Sequence, residues 1–169
     1  MVSQMPDPLP AQGVPAAAQS CAPMGDWLAL TMGDACGIGP EIIAKWWGQD
    51  GRALVIGCPR VMQRAAECLP ADRAPTIVAL SDWRDVSIIG DGQMGVWAPP
   101  GLPPDLLDAT LGQVDRRAGQ AAAACIRAAV RLAQQGEVGA IVTAPLHKEA
   151  LALAGEPYPG HTELLQAEG

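Results

Sequence analysis

Short apolar runs alternate along this chain with longer segments in which apolar residues recur every three or four positions. Each run is of strand length, and together they predict a series of β-strands. The predicted strands are 27–32, 52–57, 76–80, 86–89, 93–98 and 138–143. The run 138–143 reads VGAIVT, and such an almost unbroken apolar run is typical of a strand buried within a parallel sheet.

Segments with helical periodicity follow most of these runs. The predicted helices are 40–47, 58–69, 114–135 and 148–154, with one more beginning in the loop 158–163. The longest of them has a face of small residues, which favours close packing against a sheet, and Gly136 supplies its expected stop signal. That face comprises Val114, Ala118, Ala121, Cys125, Ala129 and Leu132.

Strands separated by helices predict an α/β fold, with a parallel or mixed twisted sheet and flanking helices. In such folds, ligand sites lie at the carboxyl ends of the strands. The segment 1–26 has five prolines and no lysine or arginine, so we expect a disordered leader there. The predicted α/β domain then spans 27–169.

Composition narrows the classes of function. The formal net charge is −7, and the isoelectric point near 4.6 argues against a nucleic-acid-binding or membrane-binding protein. Five cysteines without a CxxC spacing suggest neither a disulfide framework nor a zinc site. With no apolar run of transmembrane length and no signal-peptide pattern, we expect a cytoplasmic protein.

A glycine-rich turn, 33–39, joins the first predicted strand to the first predicted helix. Its glycines let backbone N–H groups approach an anionic ligand, and Asp34 is interpreted as an exposed acceptor for a hydroxyl or amide. Gly39 is the predicted N-cap and Pro40 the first helical residue. The alternative is a tight turn that only connects strand and helix, since this is not a GxGxxG fingerprint.

The segment 143–148 follows the last predicted strand and ends in His147 and Lys148. The chain has only two lysines and two histidines, so finding one of each directly after a predicted strand points to a functional site there. Together with Thr143 they are candidates for ligand contact. In the alternative interpretation, Lys148 begins a solvent-exposed helix and His147 caps it.

His161 and Thr162 lie between Gly160 and the last predicted helix. They are interpreted as donors to an anion at that helix N-terminus. Alternatively, Thr162 is an N-cap and His161 a loop residue. Among the cysteines, Cys36 has no identifiable base beside it and is not predicted to be a nucleophile. Cys58, Cys68 and Cys125 are interpreted as small helix-face residues.

Taken together, GDACGIGPEII, VGAIVTAPLHKEAL and YPGHTELL resemble the 4-hydroxythreonine-4-phosphate dehydrogenase family of pyridoxine biosynthesis. The resemblance implies the fold of isocitrate and isopropylmalate dehydrogenases and a homodimer. It also implies NAD as cofactor, with NADP as an alternative, and a divalent metal such as Zn, Mg or Co. The implied reaction oxidises 4-phosphooxy-L-threonine, a small phosphorylated hydroxy acid, to a 3-keto acid that decarboxylates.

The resemblance also implies roles for individual residues. His161 and Thr162 match the substrate-binding pair of the GHTE motif. Thr143 and Lys148 are placed in the active-site cleft, Thr143 on substrate and Lys148 in catalysis. Asp34 and Ile38 of the glycine turn are placed near the cofactor.

Two departures from the family pattern modify these expectations. Ala35 and Cys36 stand where the family usually has proline and alanine, which predicts a looser turn. Family members are also much longer, and their metal-binding histidines lie beyond the GHTE segment, so neither His147 nor His161 is expected to bind metal. We therefore expect an N-terminal half without dehydrogenase activity by itself. The alternatives are a 4-phosphoerythronate or 4-phosphothreonate dehydrogenase, or a non-catalytic module that binds anions or nucleotides.

Overall fold

A computed structural model describes residues 24–48 and 52–169 as five strands and five α-helices, with three short 3-10 turns. The strands are β1 Leu28–Thr31, β2 Ala53–Ile56, β3 Thr76–Leu80, β4 Gln93–Trp97 and β5 Ala140–Thr143. The α-helices are α1 Gly39–Trp46, α2 Pro59–Ala66, α3 Arg116–Gln134, α4 Lys148–Leu153 and α5 His161–Glu168. The 3-10 turns are Met24–Asp26, Trp83–Ile88 and Leu106–Asp108.

The strands form one sheet in the order β3-β4-β2-β1-β5, and every pairing is parallel. Leu30 of β1 lies opposite Val55 of β2 on one side and Val142 of β5 on the other. The predicted α/β fold is therefore confirmed, in its parallel form. Since parallel strands all point the same way, the loops after β1 and β5 leave the sheet at the same edge.

Helix α3 packs across the sheet through its predicted small-residue face. All of that face except Val114 is buried. A Cβ atom at Gly119 would collide with the carbonyl oxygen of Ala150, so α4 lies closer to α3 there than any side chain would permit. Gly136, at φ +71°, ends α3 as predicted, because its N–H and that of Glu137 donate to the free carbonyls of Ala133 and Leu132.

The predicted strand 86–89 is wrong. These residues lie mainly in the 3-10 turn Trp83–Ile88, which begins where the Asp82 carboxylate accepts the Arg84 N–H at 2.9 Å. Trp83 and Val86 are both buried, and their spacing of three residues is the period of a 3-10 turn rather than that of a strand.

The prediction of a buried strand at 138–143 holds for the strand but not for its burial. Strand β5 alternates exposed and half-buried residues, and Val142 is 45% exposed. The reason is its position, because in the part of the chain that the structure describes β5 pairs with β1 alone. Sequence pattern does not distinguish an edge strand of this kind from a central one.

Two further expectations concern chain segments rather than the sheet. Most of the predicted leader, residues 1–23, lies outside the described residues, and Met24–Asp26 forms a 3-10 turn. Over the ranges 24–48 and 52–169, no helix combines the length and the apolar character needed to cross a membrane.

Candidate active site

The loops that follow β1 and β5 are bonded to each other at the carboxyl edge of the sheet. Thr31 and Thr143, the last residues of the two strands, are paired in register. Beyond them, the Ala144 N–H donates to the Thr31 carbonyl at 3.2 Å, and the Asp34 N–H donates to the Pro145 carbonyl at 2.9 Å. The two segments that the sequence singled out are therefore one structural unit.

Glycine is required in this unit for close backbone approach. Gly33 has φ +70°, and a Cβ there would lie 2.9 Å from the Ala144 carbonyl and closer still to the Pro145 oxygen. A Cβ on Gly39 would lie 2.6 Å from the Met32 carbonyl oxygen. These glycines make room for neighbouring backbone segments of the same chain. The sequence had suggested a different role for them, which was to let a ligand approach the backbone.

Asp34 is not the exposed acceptor that the sequence predicted. Its side chain is 8% exposed, and Oδ1 accepts the Cys36 N–H at 2.9 Å. The carboxylate thus closes its own turn, as Asp commonly does two residues before a free N–H. Ile38 lies at the outer tip of the same turn and is 62% exposed. The N-cap of α1 is Ile38 rather than the predicted Gly39, with no side-chain capping bond.

The turn is also fixed on its other side. Arg64 of α2 donates through Nη2 to the Ala35 carbonyl oxygen at 3.0 Å, and the Gly112 N–H donates to the Cys36 carbonyl at 2.8 Å. The presence of Ala35 and Cys36 predicted a looser turn. In the structure, two hydrogen bonds from distant parts of the chain hold the turn at these residues.

The cysteines differ in environment. Burial, and then the negative charge of Asp34, raise the pKa of the buried Cys36 thiol, which therefore stays protonated and weakly nucleophilic at neutral pH. Cys125 is a buried helix-face residue as predicted, and desolvation raises its pKa further. Cys58 instead precedes α2 as its N-cap, and Cys68 is exposed beyond the end of that helix, so the helix-face prediction is wrong for both.

The segment after β5 presents its polar residues outward. Thr143 is half-buried, whereas His147 and Lys148 are exposed. Lys148 begins α4 and His147 occupies its N-cap position, as the alternative interpretation predicted, although the His147 side chain makes no capping hydrogen bond.

The N-terminus of α5 lies beside Lys148. Gly160 is the N-cap, in an extended conformation, and His161 and Thr162 are the first two helical residues, both exposed. Thr162 is therefore not an N-cap. A Cβ on Gly160 would lie 3.7 Å from Lys148 Cε and 3.1 Å from Glu163 Oε2, so the lysine stem passes this helix end. Free N–H groups, a lysine, an imidazole and a hydroxyl are thus gathered at one place, with one carboxylate nearby.

Two features of this edge are not predicted by the sequence pattern. Thr31 is 1% exposed, and its hydroxyl has no hydrogen-bond partner among the described residues. A threonine that ends an apolar run looks like an ordinary strand residue, so nothing marked it. Beside Thr143 there is an apolar groove of about 280 Å³ between α1 and the edge strand. It is lined by Leu28, Leu30, Ile42, Trp46, Val142 and Pro145.

A metal site requires several ligands close together. Within residues 24–48 and 52–169, no group of three or more histidines, cysteines, aspartates or glutamates is arranged to hold a metal ion. The residues that the structure describes therefore do not by themselves form the metal site that the family resemblance implies.

Comparison with known proteins gives one consistent picture. Residues 49–168 match the family described as pyridoxal phosphate biosynthetic protein PdxA. The chain is 43% identical over 144 residues to D-threonate 4-phosphate dehydrogenase of Salmonella typhimurium, covering 82% of this chain and 42% of that protein. It is 45% identical over 148 residues to 4-hydroxythreonine-4-phosphate dehydrogenase of Beijerinckia indica, covering 84% and 41%.

A solved structure extends the likeness to three dimensions. The crystal structure of 4-hydroxythreonine-4-phosphate dehydrogenase from Klebsiella pneumoniae superposes with a TM-score of 0.75 at 38% identity. The superposition covers 85% of this chain and 44% of that one. The chain therefore spans less than half the length of the relatives it matches.

Proposed function

The chain belongs to the pyridoxal phosphate biosynthetic protein PdxA family, and from this premise we propose that it forms the N-terminal part of an NAD-dependent, metal-requiring dehydrogenase. The proposed substrate is 4-phosphooxy-L-threonine, which the enzyme oxidises to a 3-keto acid that decarboxylates, in the formation of pyridoxal phosphate. A homodimer and the overall fold of isocitrate dehydrogenase are parts of the same proposal, and NADP is the alternative cofactor.

One observation carries the proposal. The loops after β1 and β5 are bonded at the carboxyl edge of a parallel sheet, and the second loop leads directly into Lys148 beside the N-terminus of α5. That edge is where α/β proteins bind ligands, and a helix N-terminus attracts phosphate or carboxylate. The overall charge of −7 would repel such an anion, so the local arrangement has to attract it.

The side chains at this edge suit a phosphorylated hydroxy acid. We assign to His161 and Thr162 the donation of hydrogen bonds to the substrate, and to Thr143 a further hydroxyl contact. The Lys148 ammonium places a positive charge where a carboxylate or a developing alkoxide needs one. Ile38 offers an exposed apolar surface to the cofactor, while Asp34 keeps the shape of the turn. NAD, when bound, accepts a hydride from the substrate alcohol.

The relatives favour a second substrate equally well. Proteins named for D-threonate 4-phosphate and for 4-hydroxythreonine 4-phosphate are 43% and 45% identical to this chain. A 4-phosphothreonate or 4-phosphoerythronate 3-dehydrogenase is therefore the first alternative. A non-catalytic module that binds anions or nucleotides is the second, because the donors at the sheet edge are present whether or not chemistry follows.

Calorimetric titration of the purified chain tests the proposal. We expect 4-hydroxythreonine 4-phosphate or D-threonate 4-phosphate to bind, and unphosphorylated threonate to bind much more weakly, because the helix end and Lys148 act on the phosphate charge. Failure of both phosphorylated compounds to bind would overturn the proposal. The compound that binds more tightly decides between the two substrates.

A parallel assay of NADH absorbance separates binding from chemistry. We expect no turnover by this chain by itself, with or without added Zn²⁺, Mg²⁺ or Co²⁺, because no metal-binding cluster occurs in the described ranges. Turnover would contradict the view that the chemistry needs ligands from elsewhere.

A further inference from the structure

Arg127, in the middle of α3, makes charged contacts with the connection between α4 and α5 and with the C-terminal end of α5. Its Nη1 and Nη2 atoms donate to the two oxygens of Glu156 at 2.7 and 2.6 Å. Its Nε donates to Glu168 Oε1 at 2.7 Å. We infer that Arg127 is a positioning residue, which holds the N-terminus of α5, with His161 and Thr162, in the orientation that binds the substrate phosphate. This inference rests on the proposed function.

The contact to Glu156 is the more enclosed of the two. The Glu156 side chain is 13% exposed and that of Arg127 31%. A bidentate fork in such surroundings is strong and fixes direction as well as distance. Hydrogen bonding to Glu156 raises the pKa of Arg127, so the guanidinium stays charged across the ordinary pH range. The fork therefore anchors one point of the chain just before the proposed binding residues.

Glu156 is fixed through its backbone as well. It follows Gly155, which ends α4 at φ +84°, and its N–H donates to the Leu151 carbonyl at 3.1 Å. The next residues are Pro157-Tyr158-Pro159-Gly160, and each proline fixes its own φ. A displacement of Glu156 is therefore passed along a short, stiff connection to the first turn of α5.

Helix α5 has little else to orient it. Leu164 is its one fully buried residue and Leu165 is half-buried beside it, so the apolar contact of this helix with the core is small. The orientation is fixed at the far end, where Arg127 contacts the Glu168 carboxylate and Gln134 Nε2 donates to the Glu168 carbonyl at 2.8 Å. Both polar contacts come from α3, so α3 sets the direction in which the first turn of α5 points.

Three variants test this arrangement in the 169-residue chain. Arg127→Lys keeps the charge and removes the fork. Glu168→Gln keeps the size of the side chain and weakens the contact at the far end of α5. Arg131→Lys is the matched control, since Arg131 lies one turn later on the same helix, is exposed and makes none of these contacts. Far-ultraviolet circular dichroism and thermal unfolding identify the temperature range in which all of them are folded.

The first readout is the affinity for D-threonate 4-phosphate, measured by calorimetry. We expect Arg127→Lys and Glu168→Gln each to weaken binding roughly tenfold, the effect of one lost charge-assisted hydrogen bond to the phosphate. Arg131→Lys should bind like the unmodified chain. The Glu168 variant is decisive, because removing a negative charge would by electrostatics alone strengthen the binding of an anion. Unchanged or tighter binding by that variant would overturn the inference.

The second readout does not depend on the ligand. The Leu164 N–H donates to the Gly160 carbonyl at 3.2 Å, so its hydrogen exchange reports the first turn of α5. We expect faster exchange at Leu164 in Arg127→Lys and no change at Leu151 of α4, whose N–H donates to the carbonyl of the N-cap residue His147. If the unmodified chain binds no phosphorylated compound, the proposed function fails. Exchange at Leu164 then decides the positioning role, and an unchanged rate rejects it.

Discussion

Gly33 is the residue on which the contact between the two loops depends. We predict that Gly33→Ala lowers the free energy of unfolding by roughly 3 kcal/mol, because a left-handed φ costs about 1 kcal/mol and the added methyl meets the 144–145 backbone. Gly92→Ala is the control, since Gly92 has φ +73° but no atom within 4 Å of its Cβ position. Chemical denaturation of both variants measures the difference. Equal losses would mean that the loops are not packed as described.

The buried thiol of Cys125 predicts that the free energy of unfolding declines at alkaline pH. Burial raises the pKa of Cys125, so the native state keeps a proton that the unfolded chain loses above about pH 8.5. Stability from this group is complete below that pH and falls above it, by at most about 1.4 kcal/mol per pH unit. We expect Cys125→Ala to be less stable at neutral pH but to decline less steeply in alkali. Cys68→Ala, at an exposed position, should leave the slope unchanged.

At the level of secondary structure, β2 and β5 place valine side chains in opposite environments, buried in β2 and exposed in β5. Val55 in β2 is 0% exposed, whereas Val142 in β5 is 45% exposed. We predict that Val55→Ala costs roughly 2 to 3 kcal/mol and Val142→Ala less than about 1 kcal/mol. Urea denaturation at one temperature compares them. A loss at Val142 as large as that at Val55 would show that the edge of the sheet is covered in solution.

The same two strands show how far the sequence determines the elements. Apolar runs identified β1 to β5, because burial within a parallel sheet leaves a local pattern. They did not show that β5 is an edge strand, since strand order is set by pairing with β1, more than a hundred residues away. The run 86–89 was misassigned because its neighbours Asp82 and Trp83, outside the run, favour a 3-10 turn.

For the molecule as a whole, the motifs located the candidate site better than they described it. Both loops lie at the same edge, as the parallel fold required. The inward orientation of Asp34 depends on the Cys36 N–H that its carboxylate accepts and on the backbone hydrogen bond from its own N–H to the Pro145 carbonyl, which a residue pattern does not contain. The pairing of Arg127 with Glu156 leaves no sign in the sequence pattern, because the two residues are 29 positions apart.

We propose that the ends of β1 and β5 and the first turn of α5 form one ligand site. Titration of the ¹⁵N-labelled chain with D-threonate 4-phosphate, followed by amide chemical shifts, tests it most directly. We expect saturable shifts to concentrate in residues 33–39, 143–148 and 160–163. Saturable shifts confined to the opposite edge of the sheet, around Arg52 and Gln93, or no saturable shift in the three predicted segments, would contradict it.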